Sequence, residues 1–225
     1  MNNIFLSKTI LFNGCSTQEI DSMLSCLSPE QRSYRRGSVI YRAGDIVSSL
    51  GLVISGSVYI ESDDIWGNKS IIDKVSAGQV FAETYACANK IPLMINVTAA
   101  ENCEVLFLDI NKVLNVCSSA CGFHTKLVRN LLSISANKNL MLSRRIFHTS
   151  PKSIRGRLLR YLSYQATENG SREFVIPFDR QQLADYLNVD RSAMSNELSK
   201  MQKEGLIKVN RSSFTLIDIE PEQHI

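Results

Sequence analysis

Asp179 to Ile207 reads DRQQLADYLNVDRSAMSNELSKMQKEGLI, and this stretch decides the fold of the last third of the chain. Asp179 offers a carboxylate to cap a helix running to Leu187. Ala184 is small enough to let a second helix cross nearby. Asn188 follows, a residue that enters the left-handed conformation of a tight turn more readily than most non-glycines. Val189 plugs the corner and Asp190 can cap the second helix, whose inward face is Met194, Leu198 and Met201. Two capped helices around such a corner are a helix-turn-helix. Gly205 then stops the second helix. Leu206 to Val209 and Phe214 to Ile217 read as strands around Asn210-Arg211-Ser212-Ser213, a hairpin wing.

The chemistry of the second helix points to DNA. A helix of this kind lies in the major groove with its N-terminal residues against base edges. Its outward face carries Arg191, Ser192, Ser195, Asn196 and Lys200. Asn pairs with adenine, Arg with guanine, and Ser with base edges or phosphates. Arg180 opens the first helix and is a candidate phosphate contact. Charge agrees. Lys138 to Ser212 holds 14 Lys/Arg against 7 Asp/Glu, while the remainder holds 11 against 15. A basic C-terminal third is the footprint of a phosphate-backbone partner.

Upstream of the motif, Phe174-Val175-Ile176-Pro177 is a short strand, and Ala166 to Arg172 reads as a turn. Ser150-Pro151 suits a helix start, with Ser as cap and Pro at the first helical position. Ile154, Leu158, Leu159, Tyr161 and Leu162 make that helix amphipathic. Before it, Cys121 to His148 is one long helical pattern, with no Gly or Pro from Phe123 to Ser150. Leu127, Leu131, Ile134, Met141 and Ile146 lie along one stripe, widened by Leu132 and Leu142. Such a stripe needs a partner; the same helix of a second chain is the natural one, and burial against its own domain is the alternative.

From about Ser33 to Asp109 the text becomes β-rich. Val39 to Tyr41, Leu50 to Ile54, Val58 to Ile60, Ile71-Ile72, Ile95 to Thr98 and Val105 to Leu108 are short and rich in β-branched and aromatic residues. Glycines separate them at roughly ten-residue intervals, the pattern of a small sandwich or barrel able to enclose a ligand. Ser16-Thr17-Gln18-Glu19 is a capping box, and the helix it opens ends near Pro29.

RQQLADYLNVDRSAMSNELSKMQKEGLI, the glycine spacing, GQVFAE and CEVLFLD together resemble the Crp/Fnr family, that of the catabolite activator protein and the fumarate–nitrate reduction regulator. The resemblance implies an α+β chain in three parts. These are a double-stranded β-helix sensor, a cyclic-nucleotide-binding-like β-roll, over 1–120, a long dimerisation helix over 121–149, and a winged helix-turn-helix over 150–225. It implies a homodimer on an inverted repeat of double-stranded DNA, with RNA polymerase as a further partner. Family base-reading positions map onto Arg191, Ser192 and Asn196. Relatives often carry Arg at the last of these, so Asn196 implies a different half-site. Glu197 stands where many relatives place an apolar residue, which implies altered packing or a carboxylate aimed at cytosine.

Within the β-roll the resemblance marks Glu83, Thr84, Leu93 and Met94 as effector-pocket candidates. Cyclic-nucleotide-binding members carry Gly-Glu, then Arg-Ser or Arg-Thr. Here Phe81 to Thr98 reads FAETYACANKIPLMINVT, with Ala82-Glu83 for the first pair and Leu93-Met94 for the second. A phosphate buried without its cation is very costly, so cyclic AMP is not the expected effector. Leu93, Met94 and Ile95 hint at an apolar lining but read better as strand core.

Other classes fare worse. The six cysteines, Cys15, Cys26, Cys87, Cys103, Cys117 and Cys121, include no CxxC pair, and only Cys15 and Cys26 precede the β-rich region. A thiolate-held cluster normally needs four. No metal, cofactor or catalytic group is expected, because Glu83 is the only acid in the candidate cavity and no Ser/His/Asp set accompanies it. His124 and His148 fall on the long helix and are read as surface residues. Charged residues at 21% and a mean hydropathy of −0.06, with no long apolar run or signal-like start, suggest a cytoplasmic protein away from membranes. The alternative function is a ligand-binding module that controls a partner protein; the wing and the basic third argue against it.

Overall fold

The structure, a computed structural model, describes residues 2–63, 66, 69–88, 90–114 and 122–217. They form two compact units, 1–137 and 138–225. The division falls inside the long helix.

In the first unit, α1 (Asn3–Leu6) and α2 (Thr17–Leu27) precede eight antiparallel strands: β1 (Glu30–Tyr34), β2 (Val39–Tyr41), β3 (Ser49–Ser55), β4 (Ser57–Asp63), β5 (Lys69–Ser76), β6 (Val80–Phe81), β7 (Asn96–Ala99) and β8 (Cys103–Asp109). Two short helices, α3 (Glu83–Ala88) and α4 (Ile110–Leu114), flank the last strands. The strands make two sheets, ordered β1-β8-β3-β6 and β2-β7-β4-β5. The capping box at α2 is present: the Glu19 N–H donates to Ser16 Oγ at 3.2 Å, and the Ser16 N–H to Glu19 Oε2 at 2.7 Å.

β3 and β8 are covered on both faces, which is why CEVLFLD reads as a continuous apolar run instead of an alternating one. Val105 and Phe107 join Val53, Val58, Phe81 and Val97 between the sheets. Leu106 and Leu108 join Leu50 and Leu52 on the opposite face, under Phe12, Ile20, Met23 and Leu27. Gly51 is required here, because a Cβ would land inside the Phe81 ring.

The long helix α5 (Gly122–Thr149) contributes its first turns to this outer core. Leu127, Leu131 and Ile134 are buried against the unit's own residues. Asn130 Nδ2 donates to the carbonyls of Leu11 and Asn13 at 2.9 and 2.8 Å, and Lys126 pairs with Glu19 at 2.8 Å. The first half of the expected stripe is thus buried at home. Leu132, Met141, Leu142 and Ile146 remain exposed.

The second unit holds the end of α5, then α6 (Ile154–Asn169), β9 (Glu173–Val175), α7 (Arg180–Leu187), α8 (Arg191–Lys203), β10 (Ile207–Asn210) and β11 (Ser213–Leu216). Its core joins Leu158, Tyr161, Leu162, Leu183, Leu187, Met194, Leu198, Met201 and Phe214. Two helix ends differ from the sequence reading. Ser153, not Ser150, caps α6, accepting from the Gly156 N–H at 3.0 Å. Ser150 closes α5 instead, its N–H bonded to the Ile146 carbonyl and its hydroxyl to that of Phe147. Likewise α6 runs through the supposed turn at Ala166 to Asn169. Gly170, at φ +59, ends it, with the Ser171 N–H returning to the Ala166 carbonyl.

Ala82 sits at φ +58, a conformation that costs an L-residue roughly 1 kcal/mol or more. Ala82→Gly relieves that strain and should raise the unfolding midpoint of the full chain by a few degrees, read by calorimetry.

Candidate nucleic-acid interface

The interface is built on the corner between α7 and α8. Asp179 accepts from the Gln182 N–H at 2.8 Å, and its own N–H donates to Gln182 Oε1 at 2.9 Å, a reciprocal cap. Asn188 takes the left-handed turn at φ +53. The Val189 N–H then bonds the Ala184 carbonyl at 3.0 Å, and Ala184 is fully buried. Asp190 caps α8 by accepting from the Ala193 N–H at 2.8 Å and the Ser192 hydroxyl at 2.5 Å, bonds that hold its carboxyl below the usual carboxylate range.

The last carbonyls of α7 face no continuing helix and need donors. Two arginines supply them. Arg145, from the end of α5, donates to the carbonyls of Asp185 and Tyr186 at 3.0 and 3.2 Å. Arg157, from α6, donates to those of Leu187 and Asn188 at 3.0 and 2.8 Å, and to that of Pro151 at 2.9 Å. Their charges also oppose the negative end of the helix dipole.

Of the six residues expected at DNA, Arg191, Ser192, Asn196 and Lys200 are exposed on one side of α8, and Ser195 is half-buried beside them. Arg191 and Asn196 make no side-chain hydrogen bond among the described residues. The Ser195 hydroxyl donates to the Arg191 carbonyl, and Ser192 serves the cap. Arg180 is placed differently: it is half-buried, with its guanidinium 5.5 Å from the centre of the Phe214 ring at the base of the wing. The sequence reading assigned no role to Arg211, which stands exposed at the β10–β11 tip at φ +53, nor to exposed Lys208. The hairpin that carries them exists only once β10 pairs with β11.

Glu197 resolves toward altered packing. Its carboxylate accepts from Arg155 Nε of α6 at 2.5 Å, and the same guanidinium grips Glu204 with both terminal nitrogens at 2.8 Å. This pairing lowers the Glu204 pKa and raises that of Arg155.

The effector-pocket candidates divide. Glu83 and Leu93 are buried, each 2% exposed, while Thr84 is exposed and Met94 is 80% exposed. The four therefore do not make one enclosed lining. Met94 does not fill the strand core either, because β7 begins only at Asn96 and the preceding loop turns it outward. Cys15 and Cys103 are buried, which pushes their thiols up, and Cys26 and Cys87 are exposed. Cys117 and Cys121 lie outside the described residues.

The histidines correct the sequence reading outright. His124 and His148 are 2% and 1% exposed. His148 is enclosed by the rings of Tyr161, Tyr164 and Tyr186, and its Nδ1 lies 2.8 Å from the Tyr186 hydroxyl. Position on a helix gave no hint of this, because the covering rings come from α6 and α7.

Two family models match the chain. One, described as a cyclic nucleotide-binding domain, covers residues 31–120, and the other, a Crp-like helix-turn-helix domain, covers 156–221. Electron transport regulator A of Shewanella oneidensis is 24% identical over 213 residues, 92% of this chain and 80% of that protein. The cyclic AMP receptor protein of Thermus thermophilus is 23% identical over 210 residues, 88% of each. The crystal structure of the Thermus thermophilus catabolite activator protein superposes over 93% of this chain and 94% of that one, with 21% identity and a TM-score of 0.51, a likeness of fold.

Burial, then the charges of Arg144 and Arg160, lowers the His148 pKa below its ordinary 6.5. The unfolded chain therefore takes up this proton first as pH falls. Stability is full above 6.5 and declines from there down to the folded-state pKa. His148→Gln should flatten this part of the decline in thermal melts between about pH 7.5 and 5; an unchanged slope would assign the decline to other groups.

Proposed function

Because this chain belongs to the Crp/Fnr family of DNA-binding transcription regulators, we propose that it acts as a homodimer on an inverted repeat, with α8 of each protomer in a major groove. The observation that carries this reading is the capped recognition helix whose Arg191 and Asn196 stand exposed and uncommitted. Arg191 suits guanine and Asn196 adenine. Lys200 and the wing residues Lys208 and Arg211 suit phosphates, and Arg180, stacked on Phe214, adds positive potential at the wing base. Dimeric family members read half-sites about one helical turn apart.

The second protomer suits the exposed apolar residues of α5. Leu132, Leu140, Met141, Leu142 and Ile146 are 55–68% exposed, more than a lone helix surface ordinarily leaves to water. The β-roll acts as an effector domain that favours one arrangement of the dimer. Its effector is not cyclic AMP, since Leu93 and Met94 stand where relatives place the cation for the phosphate. No described helix is long and apolar enough to cross a membrane. Cytoplasmic location and contact with RNA polymerase rest on the family likeness.

Selection from random duplexes should return a two-fold symmetric sequence; recovery of no inverted repeat would remove the proposal. Asn196→Ala should relax preference at one base pair per half-site. Lys200→Ala should weaken all sequences alike and reduce the salt slope by about 1. Addition of cyclic AMP should leave the melting temperature unchanged, because only a ligand that binds the folded state raises it.

A further inference from the structure

The recognition helix carries an acidic flank that a duplex partner would repel. Glu197 directly follows Asn196, and Glu204 closes the same helix. Both carboxylates are drawn to one cation on another element. Arg155, in the first turn of α6, donates Nε to Glu197 at 2.5 Å and Nη1 and Nη2 to the two oxygens of Glu204 at 2.8 Å. Glu197 also lies 3.9 Å from Lys200 Nζ, a looser contact than the one to Arg155. The planar guanidinium suits this task, since its fork can serve two carboxylates at fixed angles where an ammonium offers a point charge.

We propose that Arg155 is a positioning residue for DNA recognition: it holds Glu197 and Glu204 on the α6 side of α8, keeps both carboxylates away from the duplex, and leaves Lys200 to a phosphate. The inference rests on the DNA-binding reading of α8. Without Arg155 the flank sets two negative charges beside a polyanion with Lys200 as their nearby cation. Glu197 then closes on Lys200, its nearest remaining cation, and withdraws that cation from the backbone.

The test uses the full chain and the inverted repeat that selection returns, with affinity read by fluorescence anisotropy over a salt series. Arg155→Ala should weaken binding about three- to tenfold and lower the salt slope by about 1. Arg155→Ala combined with Glu197→Gln should restore the slope and most of the affinity, which a residue acting only in folding would not allow. Glu197→Gln alone should leave the base preference unaltered. The inference is overturned if Arg155→Ala binds like the parent, if the double variant binds no better than Arg155→Ala, or if Glu197→Gln changes the preferred base at one position. Should Arg155→Ala fail to fold, Arg155→Lys takes its place, with a smaller loss that Glu197→Gln again reverses; parent-like binding by Arg155→Lys would then overturn the inference. A parent chain that selects no inverted repeat fails before any variant is made, and that result counts against the DNA reading itself.

Discussion

Four consecutive carbonyls, those of Asp185 to Asn188, end α7 at the corner on which the C-terminal unit is built. The left-handed turn at Asn188 stops the helix there; the Asn188 N–H still reaches the Asp185 carbonyl at 3.3 Å, and the oxygens beyond it lose the helix's own donors. Arg145 and Arg157 meet the need from two different helices. The corner is therefore tied to the last turn of α5 and the first turn of α6. The angle between α7 and α8 is supported by charge-assisted bonds as well as by packing at Ala184 and Val189. The exposed face of α8 inherits its direction from this arrangement.

A second constraint shapes the other unit. β3 and β8 must be apolar on both faces, because β2, β4, β5 and β7 cover one side and helices cover the other. The helices include the first turns of α5. That helix is consequently shared by two compact units. Its buried residues Leu127, Leu131 and Ile134 belong to the first, while Arg145 and His148 make their contacts in the second.

The features legible in the sequence are those whose physics is local. The caps at Ser16, Asp179 and Asp190, the turn at Asn188 and the six apolar strand segments each depend on a few adjacent residues, and all are present. Short β1 and β6 were missed because EQRSY and VF carry too little alternation to stand out. The start of α6 misled because Ser150 and Ser153 are equal candidates by residue type. The choice between them is made by the preceding helix, which takes both the N–H and the hydroxyl of Ser150. His148, Met94 and Arg155 were not legible at all, for a common reason: their surroundings come from elements remote in sequence. A helical histidine carries no local mark of burial by three tyrosines, and nothing near Arg155 announces two carboxylates 42 and 49 residues on.

The same distinction bears on how such a chain can keep its fold while changing what it reads. The inward row Met194, Leu198 and Met201 is tied to the core, so it has little freedom. Arg191 and Asn196 are exposed and can change with little effect on folding, whereas Ser192 also serves the Asp190 cap. Glu197 lies between these sets. An acid at that position is tolerable beside a duplex only if a cation on a neighbouring helix engages it, and Arg155 does so. Substitution at 197 is thereby coupled to 155, two positions on different helices, whereas substitution at 196 is free. On the proposed DNA reading, base preference at the N-terminal part of α8 can thus drift one residue at a time, while its acidic flank changes in concert with α6.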